Sequence, residues 1–525
     1  MGRRSGHEAR SVVDAPARSL AELTRRLSGA EVPPDAADTR VRGIAADTRR
    51  LRPGELFVAL PGRRSDGAAF IEDAVARGAA AIVARRDVGP LRVPVVRVDD
   101  PRGALAELSA AWYGHPADRL CLVGITGSLG KTSVLSMLEA VASAADIPLG
   151  TIGSLGVRAG GDLIEPTRLT TPEPPGLHRA LARIEAAGAR TAAMEVTSHA
   201  LDQERVRGLT FDIGIFTNLR LLEHIEYHGS FRRYAEAKRR FFDHMRAGAP
   251  VIYAAEDRAV RTLVREYRLL PIGCGAGGVV SVRVDRLLLD RGGTRVTLRV
   301  RRPLPRLDGA SVAPVSVPVE LRVLGRPNIC NAALAAAAAL CLGASPDAVR
   351  DALAAFPPPW RRMQIVHRDR FTALDDTVGH PDSISAVFEV AARIRHRRLH
   401  VVYAIRGSRG EEINRRDAET VAIWSRCVPL ATLVVTSSDD ETDEANRVTA
   451  GEQDAFLAEL RRGRVRFEAR DRLRDAIALA LDRITRGDLL LLLGAQGMNA
   501  GGDWLRRLLG GADAAGHRGA APPHG

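Results

Sequence analysis

Of the 76 lysine and arginine side chains in the sequence, only two are lysine. Lys131 lies in Gly127-Ser128-Leu129-Gly130-Lys131-Thr132-Ser133, and Lys238 in Ala235-Glu236-Ala237-Lys238-Arg239-Arg240. A guanidinium is bulky, forked and permanently charged, so lysines kept in an arginine-saturated chain point to tasks that need a compact or deprotonatable amine. Lys131 follows the apolar run Cys121 to Thr126 and a glycine-bearing turn, and opens a predicted helix over 131–145. That setting presents backbone N–H groups and a helix N-terminus to phosphate, with Lys131 reaching the β/γ oxygens and the Thr132 hydroxyl reaching Mg²⁺. The strict Walker A spacing is not met, because Ile125 stands where its first glycine would be, and a chance glycine-rich turn is the competing reading.

Lys238 falls on a predicted helix over 231–246, with Phe231, Tyr234, Ala235 and Lys238 on one face. A lysine snorkelling from an apolar face is the plain reading, although arginine would snorkel equally well. A buried amine held neutral can instead add CO₂ and become a carbamate, which turns a cation into a carboxylate-like metal ligand. Glu195 ends a predicted strand in Met194-Glu195-Val196-Thr197-Ser198-His199, and Glu223-His224-Ile225-Glu226-Tyr227-His228 precedes the lysine helix. Carboxylates and imidazole around nucleotide phosphates suit Mg²⁺ or Mn²⁺. Singly, each is equally well read as a hydrogen-bonded structural residue.

The elements that must position these residues alternate strand and helix, which predicts parallel α/β domains. The chain is expected to divide into a first unit over 19–118, a second over 119–356 and a third over 357–510. Pro357-Pro358-Pro359 cannot continue a helix and makes a stiff boundary. The ends, 1–18 and 511–525, are expected to be disordered. Predicted strands near 191–196 and 211–217 and an alanine-rich helix near 329–342 belong to the second unit. Those at 399–405, 431–436 and 488–493 belong to the third and are apolar enough to be buried on both faces.

Composition narrows the function. The net charge of +13 raises nucleic acid as a partner, but the excess is spread along the chain in Arg-Arg pairs and only 4% of residues are aromatic. No nucleic-acid role is expected. No apolar stretch is long enough to span a membrane and no h-region follows the charged N-terminus, so the expectation is a cytoplasmic protein. Cys121, Cys274, Cys330, Cys341 and Cys427 are widely spaced and odd in number, which predicts buried free thiols rather than a disulfide framework or a zinc site.

Over roughly residues 40–500 these motifs resemble the Mur ligase family, nearest its tripeptide-synthetase branch. The resemblance implies a three-domain α/β architecture with a central P-loop ATPase domain and a Rossmann-like C-terminal domain. Gly43 to Arg49, Pro53 to Ala59 and Asp66-Gly67 are similar to the family's uridine-binding domain, where Thr48, Arg63, Arg64 and Ser65 match nucleotide-contacting positions. Gly127 to Ser133 is similar to the ATP loop, with Leu129 in place of the usual asparagine. Thr170, Thr171, Thr197, Gln203 and Arg205 match positions that hold a UDP-linked muramoyl-dipeptide. The stretch from Phe216 to Gly229 resembles the metal-binding loop, with one extra residue and Glu for Asp, and Lys238 falls on the lysine that the family carbamylates. Gly325, Asn328 and Asn331 look like the adenine-side motif, Arg362 like an arginine after the linker, and Asp376 like a ribose-contacting aspartate.

What this implies is ATP-dependent amide formation for peptidoglycan precursors: a phosphoryl group activates a carboxylate and an incoming amine displaces phosphate. Thr132 and Glu195 would hold one ion, and His224 and carbamylated Lys238 a second. The enzyme would act as a monomer. The C-terminal third departs most. Asp439-Asp440-Glu441 stands about where diaminopimelate-adding enzymes carry an Asp-Asn-Pro-Arg clamp, which removes an arginine able to grip a distal carboxylate. A solvated acidic turn is the equal alternative. Gly494-Ala495-Gln496-Gly497-Met498-Asn499 and Asp376-Thr377-Val378-Gly379-His380-Pro381 also differ from the family's forms. A Mur-type ligase joining another carboxylate and amine, and a non-catalytic paralogue acting as a binding protein, are the other readings.

Overall fold

The computed structural model describes residues 16–62, 66–85, 88–89, 91–221, 224–290, 293–358 and 360–510. Arg63, Arg64, Ser65 and Glu223 lie outside the described residues. Arg18, expected in a disordered end, instead forms a short strand with Ser19 that pairs with Arg40–Val41. The cause is local. Ser19 caps the helix Leu20–Thr24 in a reciprocal box with Glu22, and Leu20 is fully buried, so the chain just before it is drawn against the domain.

The first α/β unit holds four parallel strands, Ile44–Ala45, Leu56–Val58, Ala81–Arg85 and Val95–Val98, neighbours in chain order. The helix Pro101–Trp112 packs beside them. Asp100 caps it by accepting from the N–H groups of Arg102 and Gly103, and Pro101 starts it with φ already set.

The second unit is one eleven-stranded sheet. Its middle runs Leu149–Gly153, Thr191–Glu195, Cys121–Thr126, Ile213–Phe216, Pro250–Ala254, Leu270–Gly275 and Val282–Asp290, all parallel. These strands read as apolar runs because helices cover both faces. From Cys121–Thr126 the chain leaves to one side of that strand, and after Thr191–Glu195 it crosses to the other. The carboxyl ends of the three central strands therefore border a crevice of the kind that binds ligands.

Both flanks are antiparallel, which the purely parallel expectation lacked. Gly156–Ala159 and Asp162–Glu165 fold back on one edge, and Gly293–Val300 and Val315–Leu321 on the other. Along Val315–Leu321 exposed and buried residues alternate, as in a sheet covered on one face only. The helix Arg326–Leu342 is buried almost all round, and its alanines let it lie close to the helix Lys131–Ala144.

The third unit is a six-stranded sheet in the order Gln364–Arg368, Thr372–Asp376, Leu489–Gly494, Leu399–Ala404, Leu430–Thr436, Glu468–Arg470. Only Gln364–Arg368 runs antiparallel. Five consecutive leucines in Leu489–Gly494 are wholly buried, as a strand covered on both faces requires. The cysteine expectation needs correction. Cys274 and Cys341 are buried, Cys121 and Cys330 partly so, and Cys427 is exposed. Among the described residues no helix is long and apolar enough to cross a membrane.

Candidate active site

The turn after Cys121–Thr126 is shaped by two glycines. Gly127 has φ 133°, and a Cβ there would come within 2.0 Å of Thr217 Oγ1. Gly130 has φ 87°, and a Cβ there would meet Asn331 Oδ1 at 2.6 Å. Neither position admits another residue without a shift. The Leu129 amide donates to Asn218 Oδ1 at 3.0 Å, and the Leu129 carbonyl accepts from Thr217 Oγ1 at 2.6 Å and Asn218 Nδ2 at 2.9 Å. The loop is thus held through Leu129's main chain, so its unusual side chain does not disturb it. Gly130 brings no capping side chain to the helix Lys131–Ala144, which leaves first-turn N–H groups for an anion. Lys131 Nζ arches over the loop, donating to the carbonyls of Gly127 and Ser128 at 3.0 Å each, and Ser133 is buried in the first turn.

Thr132 Oγ1 faces both carboxylate oxygens of Glu195 at 3.0 Å, and Glu195 Oε1 also accepts from the Ser154 amide at 2.8 Å. From Glu195 a hydrogen-bonded chain runs outward. Thr171 Oγ1 donates to the Glu195 carbonyl at 2.9 Å and accepts from the Thr197 amide at 3.1 Å. Arg205 donates to the Thr171 carbonyl at 2.8 Å and to Gln203 Oε1 at 2.6 and 3.0 Å, and pairs with Glu173 at 3.1 Å. Thr170 Oγ1 lies 3.0 Å from Ser154 Oγ. Thr132 and the Ser154 amide touch the Glu195 carboxylate itself, while Thr171, Thr197, Arg205 and Gln203 follow through the Glu195 carbonyl and Thr170 through Ser154. Thr48, by contrast, belongs to the first unit, in the turn after Ile44–Ala45, and is not part of this chain of contacts.

Lys238 is 1% exposed, on the helix Phe231–Arg239. Its Nζ donates to Thr126 Oγ1 at 3.0 Å and to the Val196 carbonyl at 3.4 Å, so it sits where the strands leading to the phosphate loop and to Glu195 end. The predicted single helix to 246 is instead α-helical to Arg239 and continues as a 3₁₀ turn over Arg240–His244. Phe241 and Phe242 are both buried there.

The His224 ring lies 6.2 Å from that of Tyr234, one helical turn before Lys238, and 4.8 Å from that of His199. Tyr234, fully buried, shares a 2.6 Å hydrogen bond with Ser128 Oγ in the phosphate loop. Tyr227 accepts from Gln203 at 3.1 Å and donates to Asp202 at 2.9 Å. His199, Asp202, Tyr227 and Tyr234 were not expected as site residues. His199 had a signal, since it closes the Glu195 motif, as did Tyr227 in the run before the lysine helix and Tyr234 on the face of Lys238; Asp202 is joined to the site only by chain folding.

Among the described residues no cluster of three or more His, Cys, Asp or Glu side chains could hold a metal by itself. Mg²⁺ at a nucleotide takes one or two carboxylates and completes its shell with phosphate oxygens and water, and Thr132 with Glu195 offers hydroxyl and carboxylate oxygens of that kind.

In the third unit Asp376 Oδ2 accepts from the Met363 amide at 2.6 Å. Burial pushes this carboxyl up to about 7, opposed by the positive charge of Arg362. Arg362 itself is exposed and donates to the Thr377 carbonyl at 3.2 Å. Asn328 donates to the Leu324 carbonyl at 2.8 Å at the start of its helix. The acidic run is a turn in which Asp439 and Asp440 are exposed, as the solvated-turn reading expects, and Glu441 is half-buried. Asp440 also accepts from the Leu473 amide at 2.8 Å, at the start of the helix Leu473–Arg483, and Glu441 accepts from Trp504 Nε1 at 2.6 Å.

Three family models match consecutive stretches of the chain. They are described as Mur ligase family, catalytic domain, over residues 40–113; Mur ligase middle domain, over 125–339; and Mur ligase, glutamate ligase domain, over 361–496. The chain is 32% identical over 499 residues to the UDP-N-acetylmuramoyl-L-alanyl-D-glutamate--2,6-diaminopimelate ligase of Geobacter metallireducens, covering 90% of this chain and 93% of that one. It is 33% identical over 483 residues to the enzyme of the same name from Chlorobaculum tepidum, covering 91% of each. Among solved structures it is similar to a ligase of that name, with TM-score 0.66, 20% identity and 92% and 94% of the two chains covered. It is also similar to MurF from Acinetobacter baumannii, with TM-score 0.64, 18% identity and 94% and 99% covered.

Proposed function

The chain belongs to the Mur ligase family of ATP-dependent, ADP-forming ligases of peptidoglycan-precursor synthesis, and from that premise we propose that it adds an amine to a UDP-linked muramoyl-dipeptide through an acyl phosphate. The observation that carries this reading is the continuous contact from the phosphate loop through Thr132 and Glu195 to Thr171, Thr197, Gln203 and Arg205. It joins a nucleotide-binding turn to a row of polar groups suited to an anionic substrate. Gly127 to Ser133 would cradle the triphosphate, with Lys131 turning from its own loop carbonyls to the β/γ oxygens. Asn328, Arg362 and Asp376 would meet the nucleoside, and Thr48, with Arg63, Arg64 and Ser65, the uridine end.

The substrate carboxylate attacks the γ-phosphorus of ATP, ADP leaves, and the amine then displaces phosphate from the acyl phosphate and loses a proton. Catalysis of such a transfer is mainly positioning and charge compensation. Bound Mg²⁺ supplies part of that compensation, and Thr132 and Glu195 are the residues that would hold it. His224 and a carbamylated Lys238 would hold a second ion. The carbamate would form when neutral Nζ bonds to the carbon of CO₂ and a proton passes to water.

The relatives named above act, by their names, with diaminopimelate. In this chain the segment at Asp439-Asp440-Glu441 is committed to a helix cap and a tryptophan contact, which supports an amine other than diaminopimelate. The test is an acceptor screen with ATP, Mg²⁺, bicarbonate and UDP-muramoyl-dipeptide against individual amines, diaminopimelate included, scored by product mass. A new amide is expected with at least one amine other than diaminopimelate. No amide with any amine would sink the proposed reaction, and diaminopimelate as the best acceptor would sink the choice of amine.

A further inference from the structure

The bulkiest side chain among the fully buried ones is that of Arg361, 1% exposed, at the point where the linker enters the third unit. Its φ is 48°, a left-handed backbone that a long side chain adopts only when its surroundings hold it there. The guanidinium donates to Asp375 Oδ1 at 2.9 Å, to the carbonyls of Gly494 at 2.6 Å and Ala495 at 2.8 Å, to Asn499 Oδ1 at 2.7 Å and to the Asp376 carbonyl at 3.3 Å. Its own main chain is tied in as well. The Arg361 amide donates to Gln364 Oε1 at 3.1 Å, and its carbonyl accepts from the Thr377 amide at 2.9 Å.

These acceptors come from two places besides the linker: the carboxyl end of Thr372–Asp376 and the loop that follows Leu489–Gly494. Both border the rim of the third sheet, where ligands of parallel sheets bind. A planar fork with five N–H donors can join such divergent acceptors, and an ammonium on a flexible stem cannot.

We infer that Arg361 is a positioning residue for the third unit's half of the ligation site, holding the linker, Asp376 and the 494–499 loop as one body. This rests on the reaction proposed above, in which nucleoside and amine meet the third unit while the UDP-linked substrate meets the first two. Loss of Arg361 then weakens the ligands of the third unit selectively.

The experiment compares the full chain with Arg361→Lys and Asp375→Asn, the second keeping an acceptor while removing the countercharge. Dissociation constants for ATP and for UDP-muramoyl-dipeptide are measured by calorimetry, and KM for the best amine by product formation. In Arg361→Lys the ATP constant and the amine KM are expected to rise about tenfold, with the UDP-substrate constant within about twofold of wild type. Asp375→Asn should shift the same two constants in the same direction by less, and carries the test should Arg361→Lys not fold. All constants unchanged with only kcat lowered would overturn the inference, as would a parallel rise in all of them, because a general loosening of the fold weakens every ligand without choosing among them. The two dissociation constants need no amide product, so a failed acceptor screen and a failed latch are separate results.

Discussion

Lys238 shows how far one residue can be read before the fold is known. Its rarity and helical face marked it in sequence, and in the structure its Nζ lies at the ends of the two strands that carry the phosphate loop and Glu195. Thr132 and Glu195 were legible in the same way, from residue type and strand-end position, and they lie in contact. Tyr234 and Arg361 were not, because their importance comes from partners far away in the chain: Ser128 for the one, Gly494 to Asn499 for the other. Lys238→Arg separates charge from chemistry. Arginine keeps the cation, but its fork does not fit a 1% exposed slot shaped for an amine and cannot be converted to a carbamate. Amide formation is expected to fall by about a thousandfold or more, measured by product mass at saturating substrates, while circular dichroism stays that of the wild type. Undiminished ligation in that variant would remove the case for a carbamate.

Helices and strands bring their own electrostatics. The helix Glu411–Cys427 lies over the strand Leu399–Ala404, and between them Asp417 is fully buried, accepting from Tyr403 Oη at 3.1 Å. Burial pushes its carboxyl up to about 7, opposed by the Tyr403 hydrogen bond and the charges of Arg406 and Arg409. A carboxyl raised in the folded state holds its proton where the unfolded chain has lost it. Stability therefore declines as pH rises from the ordinary carboxylate range toward 7 and levels off above it. Asp417→Asn removes that titration and leaves an acceptor for Tyr403. Its thermal midpoint should come nearest the wild type's near pH 4 and exceed it by a margin that grows toward pH 8. Equal midpoints at both values would mean that Asp417 is ionised at little cost. Nothing in the sequence announces this group, since an aspartate in a charged helix reads as an exposed residue until its face is known. The phosphate loop was readable for the opposite reason: its strand, glycines and helix start are consecutive in the chain.

Across the whole molecule, alternation of apolar runs and helices foretold three α/β units, because parallel strands need helical crossovers and these leave a regular mark in sequence. The antiparallel additions on the central sheet were missed, as they depend on which edge a later strand finds. How the units are joined follows neither from alternation nor from charge. Leu324 and Gly325 pack into the third unit's core beside Met363 and Val390, and Arg361 is tied across the rim. One surface ion pair also bridges the second and third units, Arg220 with Asp382 at 3.4 Å, each side chain nearly half exposed. Exposed pairs of this kind contribute roughly 0–1 kcal/mol, because water screens the charges and two long side chains lose freedom. Asp382→Asn should therefore leave ATP turnover within about threefold of wild type, and its salt dependence unchanged. A loss of tenfold or more would identify the pair as a clamp between the units and shift the coupling from the buried linker to the surface.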